Sequence, residues 1–146
     1  MARRINLSLK RDEALRATRV AIGKKKKLVY LLIADKRLKY TDGKSRIAYI
    51  GTTKKGVDRI AQSVAVKAND ILSTRGVRTF HARVVTCSPR QKVRTWLKLE
   101  RALILCFREI FGEIPKCNTQ GKKMKQTDEF SYFSKSAVKN IIEELA

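Results

Sequence analysis

Glu100 is an acidic residue in a stretch whose apolar residues recur at three- and four-residue steps, the period of an amphipathic helix. Trp96, Leu103 and Phe107 share its side of the predicted helix, so the carboxylate falls on the face that turns toward the core. A buried, unpaired carboxylate costs several kcal/mol, on the order of the stability margin of a small domain. The pattern therefore predicts a partner for Glu100, which would be an arginine, a lysine or a metal ion.

Two less specific interpretations of Glu100 remain open at this point. The residue could form a purely structural ion pair, or the apolar stripe could drift around the helix and leave Glu100 at its edge. The rest of the sequence must distinguish these interpretations from a functional carboxylate.

The charge of the chain narrows the class of partner. Its 34 Lys and Arg residues against 13 Asp and Glu give a formal net charge of +21 on 146 residues. Such a field attracts polyanions, of which nucleic acid is the first expectation and a membrane surface the weaker alternative. Because no apolar stretch approaches the roughly 20 residues of a spanning helix and no signal peptide is recognisable, we expect a cytoplasmic or nucleoid-associated protein.

Cysteine and histidine usage argues against several chemistries. Cys87, Cys106 and Cys117 are widely spaced, and His81 is the single histidine, so a zinc site is not expected. A serine or cysteine nucleophile would have to use His81, which lies at an exposed-looking strand position. Cys106, among apolar neighbours, is interpreted as a small core residue.

The order of elements predicts one compact domain of the α/β (α+β) class. Residues 28–34 form an apolar run typical of a central strand, and 47–51 and 78–86 are further strands. The segment 35–46 is predicted to be either a connecting loop or an elongated hairpin.

Helices are predicted on both sides of the third strand. One covers residues 57–72, the long helix of Glu100 stops at Gly112, and a last helix begins at Ser134 or Ser136. The strands 28–34 and 47–51 would pair antiparallel in a sheet flanked by these helices.

Five residues in this order resemble a known motif. Tyr30 closes the tripeptide Leu-Val-Tyr, and the tripeptide Tyr-Ile-Gly begins at Tyr49; Arg59 follows ten residues after Tyr49, before Glu100 and Asn118. The arrangement resembles the GIY-YIG nuclease superfamily, in a small single-domain form, over about residues 28–121. The resemblance implies a three-stranded antiparallel sheet flanked by helices and a metal-dependent DNA phosphodiesterase activity.

The resemblance also implies a role for each residue. Glu100 would bind Mg²⁺ or Mn²⁺, Arg59 would contact the scissile phosphate, and Asn118 would hydrogen-bond within the site. Tyr49, or alternatively Tyr30, would orient or deprotonate the attacking water. Each residue also has an ordinary structural interpretation, as a strand aromatic, a surface arginine or a turn asparagine.

Lysine runs lie near both ends of the predicted nuclease domain and could contact the DNA backbone. The candidate DNA-binding residues are Lys24, Lys25, Lys26, Lys27, Lys54, Lys55, Lys67, Lys122, Lys123 and Lys125. One departure from the family pattern is Ser63, one turn after Arg59, where many members carry a histidine or tyrosine. A serine cannot perform the acid-base work of an imidazole.

The sequence thus predicts a basic N-terminal arm or helix over 1–27, a nuclease domain over 28–121 and a helical extension over 122–146 packed on the same domain. The expected function is a DNA endonuclease of restriction, phage or mobile-element type, with DNA as partner and a homodimer as one means of target selection. The alternative is a non-catalytic nucleic-acid-binding protein, either architectural or ribosome-associated, which would use the same charge.

Overall fold

The computed structural model describes residues 2–7, 28–53, 75–78, 80–85 and 92–146. Its strands are β1 (Ala2–Leu7), β2 (Leu28–Tyr40), β3 (Gly43–Thr53) and β4 (Phe80–Val85). Its helices are α1 (Thr95–Phe111), α2 (Glu129–Tyr132) and α3 (Lys135–Leu145). The helix predicted over 57–72 lies outside the described residues, as do residues 8–27 of the predicted N-terminal arm or helix, whereas residues 2–7 of that arm form β1.

The strands form one antiparallel sheet in the order β1-β4-β2-β3. The predicted fold class, an α+β arrangement of an antiparallel sheet and helices, is confirmed. The sheet also contains β1, which the sequence did not predict as a strand, since charged residues obscure its alternation and its pairing with β4 is non-local. In β2, successive residues Val29 to Ala34 are at most 3% exposed, so both faces of the central strand are covered.

The segment after the central strand is an elongated hairpin, one of the two predicted alternatives. Its strands continue to Tyr40 and Gly43 around a turn, and pairing shifts by one residue at Ala48, where β3 carries a bulge. The Tyr40 hydroxyl closes the far end of the hairpin, because it donates to the Ile47 carbonyl at 2.6 Å and accepts from the Lys116 amide at 3.0 Å. Burial raises the pKa of Tyr40 far above its usual range, so the phenol stays protonated.

Helix α1 packs against β2 and β3 through its apolar face. Phe107 is fully buried and contacts Tyr40 edge-on at a centroid distance of 5.0 Å, and Phe111 lies 4.6 Å from the Phe107 ring. The helix ends as predicted at Gly112, which has a left-handed φ of 77° and donates its amide hydrogen to the Arg108 carbonyl. The Asp42 amide at the hairpin turn donates to the Phe111 carbonyl at 2.9 Å. This hydrogen bond joins the hairpin turn to the C-terminal end of α1.

Helix α3 begins after Ser134, one of the two predicted capping residues, whose hydroxyl accepts from the Ala137 amide at 3.4 Å. Its apolar face buries Val138, Ile142 and Leu145, and it packs against α1. Within the described parts of the chain, no helix is both long enough and apolar enough to cross a membrane.

Replacing Gly112 with alanine should lower the free energy of unfolding by about 1–2 kcal/mol, because L residues are strained in the left-handed region. The added Cβ would also lie 2.5 Å from Asp42 Oδ2. Urea denaturation of Gly112→Ala and Gly112→Asn checks this. Both variants add the same Cβ, but asparagine tolerates the left-handed region, so Gly112→Asn should be the more stable. Equal stability of the two variants would contradict the dihedral explanation.

Candidate functional site

Tyr30 and Tyr49 meet on one face of the sheet. In the β2–β3 register Tyr30 lies opposite Gly51 and Tyr49 lies opposite Leu32, so the two tyrosines are diagonal neighbours. Their ring centroids are 5.7 Å apart with an interplanar angle of 47°. Tyr30 is 2% exposed, whereas Tyr49 is half-buried and therefore reachable from solvent.

Gly51 allows this approach of the rings. A Cβ placed on Gly51 would lie 2.5 Å from Tyr49 Cε1 and 2.8 Å from the Tyr49 hydroxyl oxygen. The Tyr49 ring therefore occupies the space above Gly51 that any other residue would fill. The missing side chain of Gly51 thus leaves room for the Tyr49 ring, which points toward Tyr30 on the neighbouring strand.

The Asn118 side chain makes two hydrogen bonds to the backbone of Ile50, which lies between Tyr49 and Gly51. Its Oδ1 accepts from the Ile50 amide at 3.0 Å, and its Nδ2 donates to the Ile50 carbonyl at 2.9 Å. The neighbouring Cys117 amide donates to the Ala48 carbonyl at 2.8 Å. The loop after α1 is therefore held along the edge of β3, directly beside Tyr49.

Glu100 lies on the buried side of α1 and is itself half-buried. Leu103, Ile104 and Phe107, which share this side at the next turns, are all buried. Glu100 and Trp96 are therefore half-buried, whereas the same side is buried farther along the helix. A Cβ placed on Gly121 would lie 3.1 Å from Ile104 Cγ2, so this side of the helix borders the loop that carries Asn118.

Several candidate residues lie outside the described chain. These are Arg59 and Ser63, together with Lys24, Lys25, Lys26, Lys27, Lys54, Lys55 and Lys67. The described residues thus bring Tyr30, Tyr49 and Asn118 into one region by direct or adjacent contacts, with Glu100 on the helix that borders the Asn118 loop.

Lys122, Lys123 and Lys125 are exposed on a loop that Arg108 organises from α1. The Arg108 guanidinium donates to the carbonyls of Gly121 at 2.9 Å, Lys122 at 3.1 Å and Met124 at 2.6 Å. Three carbonyls on one guanidinium fix the loop backbone while the lysine side chains remain in solvent. The sequence did not suggest this role for Arg108, since an arginine on a helix is ordinarily a surface residue.

The fully buried carboxylate of the described chain is Glu129, which no sequence pattern indicated. Glu129 is 0% exposed, and its Oε1 accepts from Arg101 Nε at 2.6 Å and from the Thr127 hydroxyl at 2.8 Å. Its Oε2 accepts from the Thr127 amide at 2.8 Å. Desolvation opposes ionisation of Glu129, but the hydrogen bonds from Arg101 and Thr127 outweigh it and lower its pKa to about 2.

The side chains available as ligands restrict which metal ions the described residues could bind. Within the described ranges, no three side chains of His, Cys, Asp or Glu lie close enough together to hold a metal ion. A partly exposed carboxylate such as Glu100 fits Mg²⁺ or Mn²⁺, since Mg²⁺ commonly takes one or two carboxylates and completes its shell with water and substrate phosphate oxygens. Cys106 is fully buried, and burial raises the pKa of its thiol, which agrees with a core residue rather than a thiolate ligand.

Comparison of the chain with protein-family models, curated proteins and solved structures finds no match. The function is therefore inferred from the residues and geometry described above.

Gly51→Ala should lower the free energy of unfolding by about 1–3 kcal/mol, because its methyl group overlaps the Tyr49 ring. The same substitution in a Tyr49→Ala background should cost much less, since the overlapping ring is absent. A double-mutant cycle by urea denaturation measures this coupling. Additive costs would contradict the close approach of Tyr49 to Gly51.

Glu129→Gln should destabilise the protein at pH 7 by about 2–3 kcal/mol, because Arg101 loses its buried counter-charge. The folded pKa of Glu129, about 2, lies below the unfolded value of 4.5, so its ionisation stabilises the fold above about pH 4.5. That contribution is lost as the pH falls from 4.5 toward 2. The stability gap between wild type and Glu129→Gln should therefore narrow over this range.

Chemical denaturation at several pH values measures the gap. The exposed Glu143→Gln is the matched control and should differ little from wild type throughout. A gap for Glu129→Gln that stays constant from pH 7 to pH 2 would refute the assignment of the low pKa to Glu129.

Proposed function

We propose that the protein is a metal-dependent DNA endonuclease of the GIY-YIG type, which hydrolyses phosphodiester bonds. The observation that carries the proposal is the joining of Tyr30, Tyr49 and Asn118 in one region. The tyrosine rings are 5.7 Å apart, and Asn118 makes two hydrogen bonds to Ile50 between Tyr49 and Gly51. Cross-strand packing and edge pairing account for each contact separately, and the nuclease is favoured by their joint occurrence in the order Tyr30, Tyr49, Asn118 of the resembled motif.

The chemistry requires an activated water, neutralisation of charge on the phosphoryl oxygens and assistance to the leaving oxygen. Tyr49, the more accessible of the two tyrosines, orients or deprotonates the water, and the buried Tyr30 supports its ring. Arg59 donates to the scissile phosphate and stabilises the developing negative charge. Asn118 positions Tyr49 through the backbone of Ile50 and does not need to touch the substrate.

Glu100 is the proposed metal ligand. Glu100 is half-buried beside the buried Leu103 and Ile104, so the residue borders a low-dielectric surrounding while it remains partly exposed. Mg²⁺ or Mn²⁺ bound there would polarise the scissile phosphate and stabilise the leaving oxygen.

DNA is the proposed substrate because of the +21 charge and the exposed lysines Lys122, Lys123 and Lys125. These lysines project from a loop whose backbone Arg108 holds in place. A restriction, phage or mobile-element role, a cytoplasmic or nucleoid location and a homodimer are parts of the same proposal.

A non-catalytic nucleic-acid-binding protein is the second candidate, and the net charge favours it equally. Charge alone requires neither a tyrosine pair nor an accessible carboxylate on an apolar helix side. The two candidates differ in one observable property, which is metal-dependent strand cleavage.

Wild-type protein should nick supercoiled plasmid DNA with Mg²⁺ but not with EDTA. Glu100→Gln and Arg59→Ala should each reduce the cleavage rate at least about a hundredfold, as expected for groups that stabilise a charged transition state. Agarose-gel assays of initial rates measure this, and gel-shift assays should show DNA binding by Glu100→Gln.

Glu143→Gln, an exposed carboxylate with the same chemical change, is the matched control and should cut at the wild-type rate. DNA binding by wild type with no Mg²⁺- or Mn²⁺-dependent nicking of plasmid, duplex or single-stranded substrates would exclude the nuclease. Full activity of Glu100→Gln would exclude Glu100 as the metal ligand.

A further inference from the structure

A cationic groove lies at the N-terminal end of α1, apart from the tyrosine pair. It has a volume of about 490 Å³ and is bounded by the segment before α1, the first turns of α1 and the short helix α2. Four of its lining side chains are cationic, namely Lys92, Arg94, Lys98 and Arg101, whereas one, Asp128, is acidic. An anionic ligand is therefore complementary to it.

The cations of this groove differ in how far they are already neutralised. Lys98 is paired with Asp128, and Arg101 is paired with the buried Glu129 and donates to the Lys125 carbonyl at 2.7 Å. Lys92 and Arg94 are exposed and have no carboxylate partner among the described residues. Lys92 and Arg94 thus form a cationic rim of the groove that no carboxylate of the described residues compensates.

The groove lining also includes apolar side chains and an aromatic side chain. Leu97 projects from α1, and Tyr132 closes α2; both are half-buried and line the groove. An aromatic face beside a cationic rim is the combination that single-stranded nucleic-acid sites use, because bases stack on the ring while phosphates contact the cations. The volume is within the range of small-ligand sites and can hold about one nucleotide.

We propose that this groove binds an unpaired nucleotide of single-stranded DNA, with its base against Tyr132 and its phosphate at Lys92 and Arg94. A duplex keeps its bases stacked inside the helix and cannot present one to a ring within a groove. The proposal rests on the nucleic-acid partner of the proposed function but not on cleavage. It makes DNA with an unpaired segment, such as a flap or a junction, the preferred ligand class.

Fluorescence anisotropy with labelled oligothymidylate and with a blunt-ended duplex of two annealed strands, both in EDTA, tests the groove without cleavage. Tyr132→Ala should weaken single-strand binding about tenfold, since stacking on an aromatic contributes about 1–3 kcal/mol per base. Tyr132→Phe should bind like wild type, because it keeps the ring. Duplex binding should change less than about twofold in both variants, since a paired base does not reach the ring.

The cationic rim is tested by Lys92→Asn with Arg94→Gln. Asparagine is chosen because Lys92 has a φ of 62°, a conformation that asparagine tolerates. The slope of log affinity against log salt for the single strand should become shallower by about 0.7 for each phosphate that the variant no longer neutralises.

Arg37→Gln with Lys39→Gln removes the same charge from the exposed hairpin near the C-terminal end of α1. The 17 residues of α1 span about 25 Å, so this control lies at the opposite end of the helix from the rim at Lys92 and Arg94. It should change single-strand binding less than the rim variant does.

A second measurement covers the case in which Tyr132→Ala does not fold. Wild-type protein irradiated with an oligonucleotide containing 5-iodouracil should crosslink at Tyr132, as mapped by mass spectrometry. Crosslinks confined to other residues would overturn the proposal. So would equal weakening of single-strand and duplex binding in a folded Tyr132→Ala variant, which would indicate a general polyanion surface.

Different results would contradict the nuclease proposal and the proposal that the groove binds single-stranded DNA. A protein that never nicks DNA but binds oligothymidylate in a Tyr132-dependent manner would support the groove and exclude the enzyme. A protein that nicks plasmid while Tyr132→Ala binds single strands like wild type would support the enzyme and exclude the groove.

Discussion

The backbone groups on the outer edge of β3 need hydrogen-bond partners, and the C-terminal part of the chain supplies them. An edge strand carries backbone donors and acceptors that have no neighbouring strand, and leaving them unpaired is costly or invites aggregation. Here Cys117 donates to the Ala48 carbonyl, Asn118 bonds both backbone groups of Ile50, and the Arg46 amide donates to the Ala146 carbonyl at 3.1 Å. The loop after α1 and the end of α3 thus replace a missing strand.

These hydrogen bonds along the outer edge of β3 join elements that are distant in sequence. The loop that bonds Ala48 and Ile50 starts where α1 ends, and that end is joined to the hairpin turn through Phe111 and Asp42. The bulge at Ala48 lies at the same place, so β3 changes its pairing where the loop contacts it. Tyr49 is therefore positioned from two sides, by Gly51 within its own strand and by Asn118 across the edge.

The two carboxylates of interest occupy opposite environments. The helical pattern predicts Glu100 as the buried acid that needs a partner, yet the fully enclosed acid is Glu129, which Arg101 and Thr127 satisfy. Arg101 directly follows Glu100 on α1, so one helix supplies a partly accessible carboxylate and the arginine that neutralises a buried one. Glu129 had no sequence signal, because its burial depends on the packing of residues 125–129 against α1. Only this packing distinguishes the fully buried Glu129 from the half-buried Glu100.

The amino-acid sequence by itself determined the local features. Apolar periodicity located β2, β3, β4, α1 and α3; Gly112 and Ser134 marked helix boundaries, because capping and left-handed dihedrals depend on neighbouring backbone alone. The order of Tyr30, Tyr49 and Asn118 was visible as spacing. Only the tertiary structure decided the strand β1, the pairing of Asn118 with Ile50, the burial of Glu129 and the groove at Tyr132. These features arise where non-local segments satisfy each other's backbone groups or exclude water together, and no local pattern in the chain records which segments will meet.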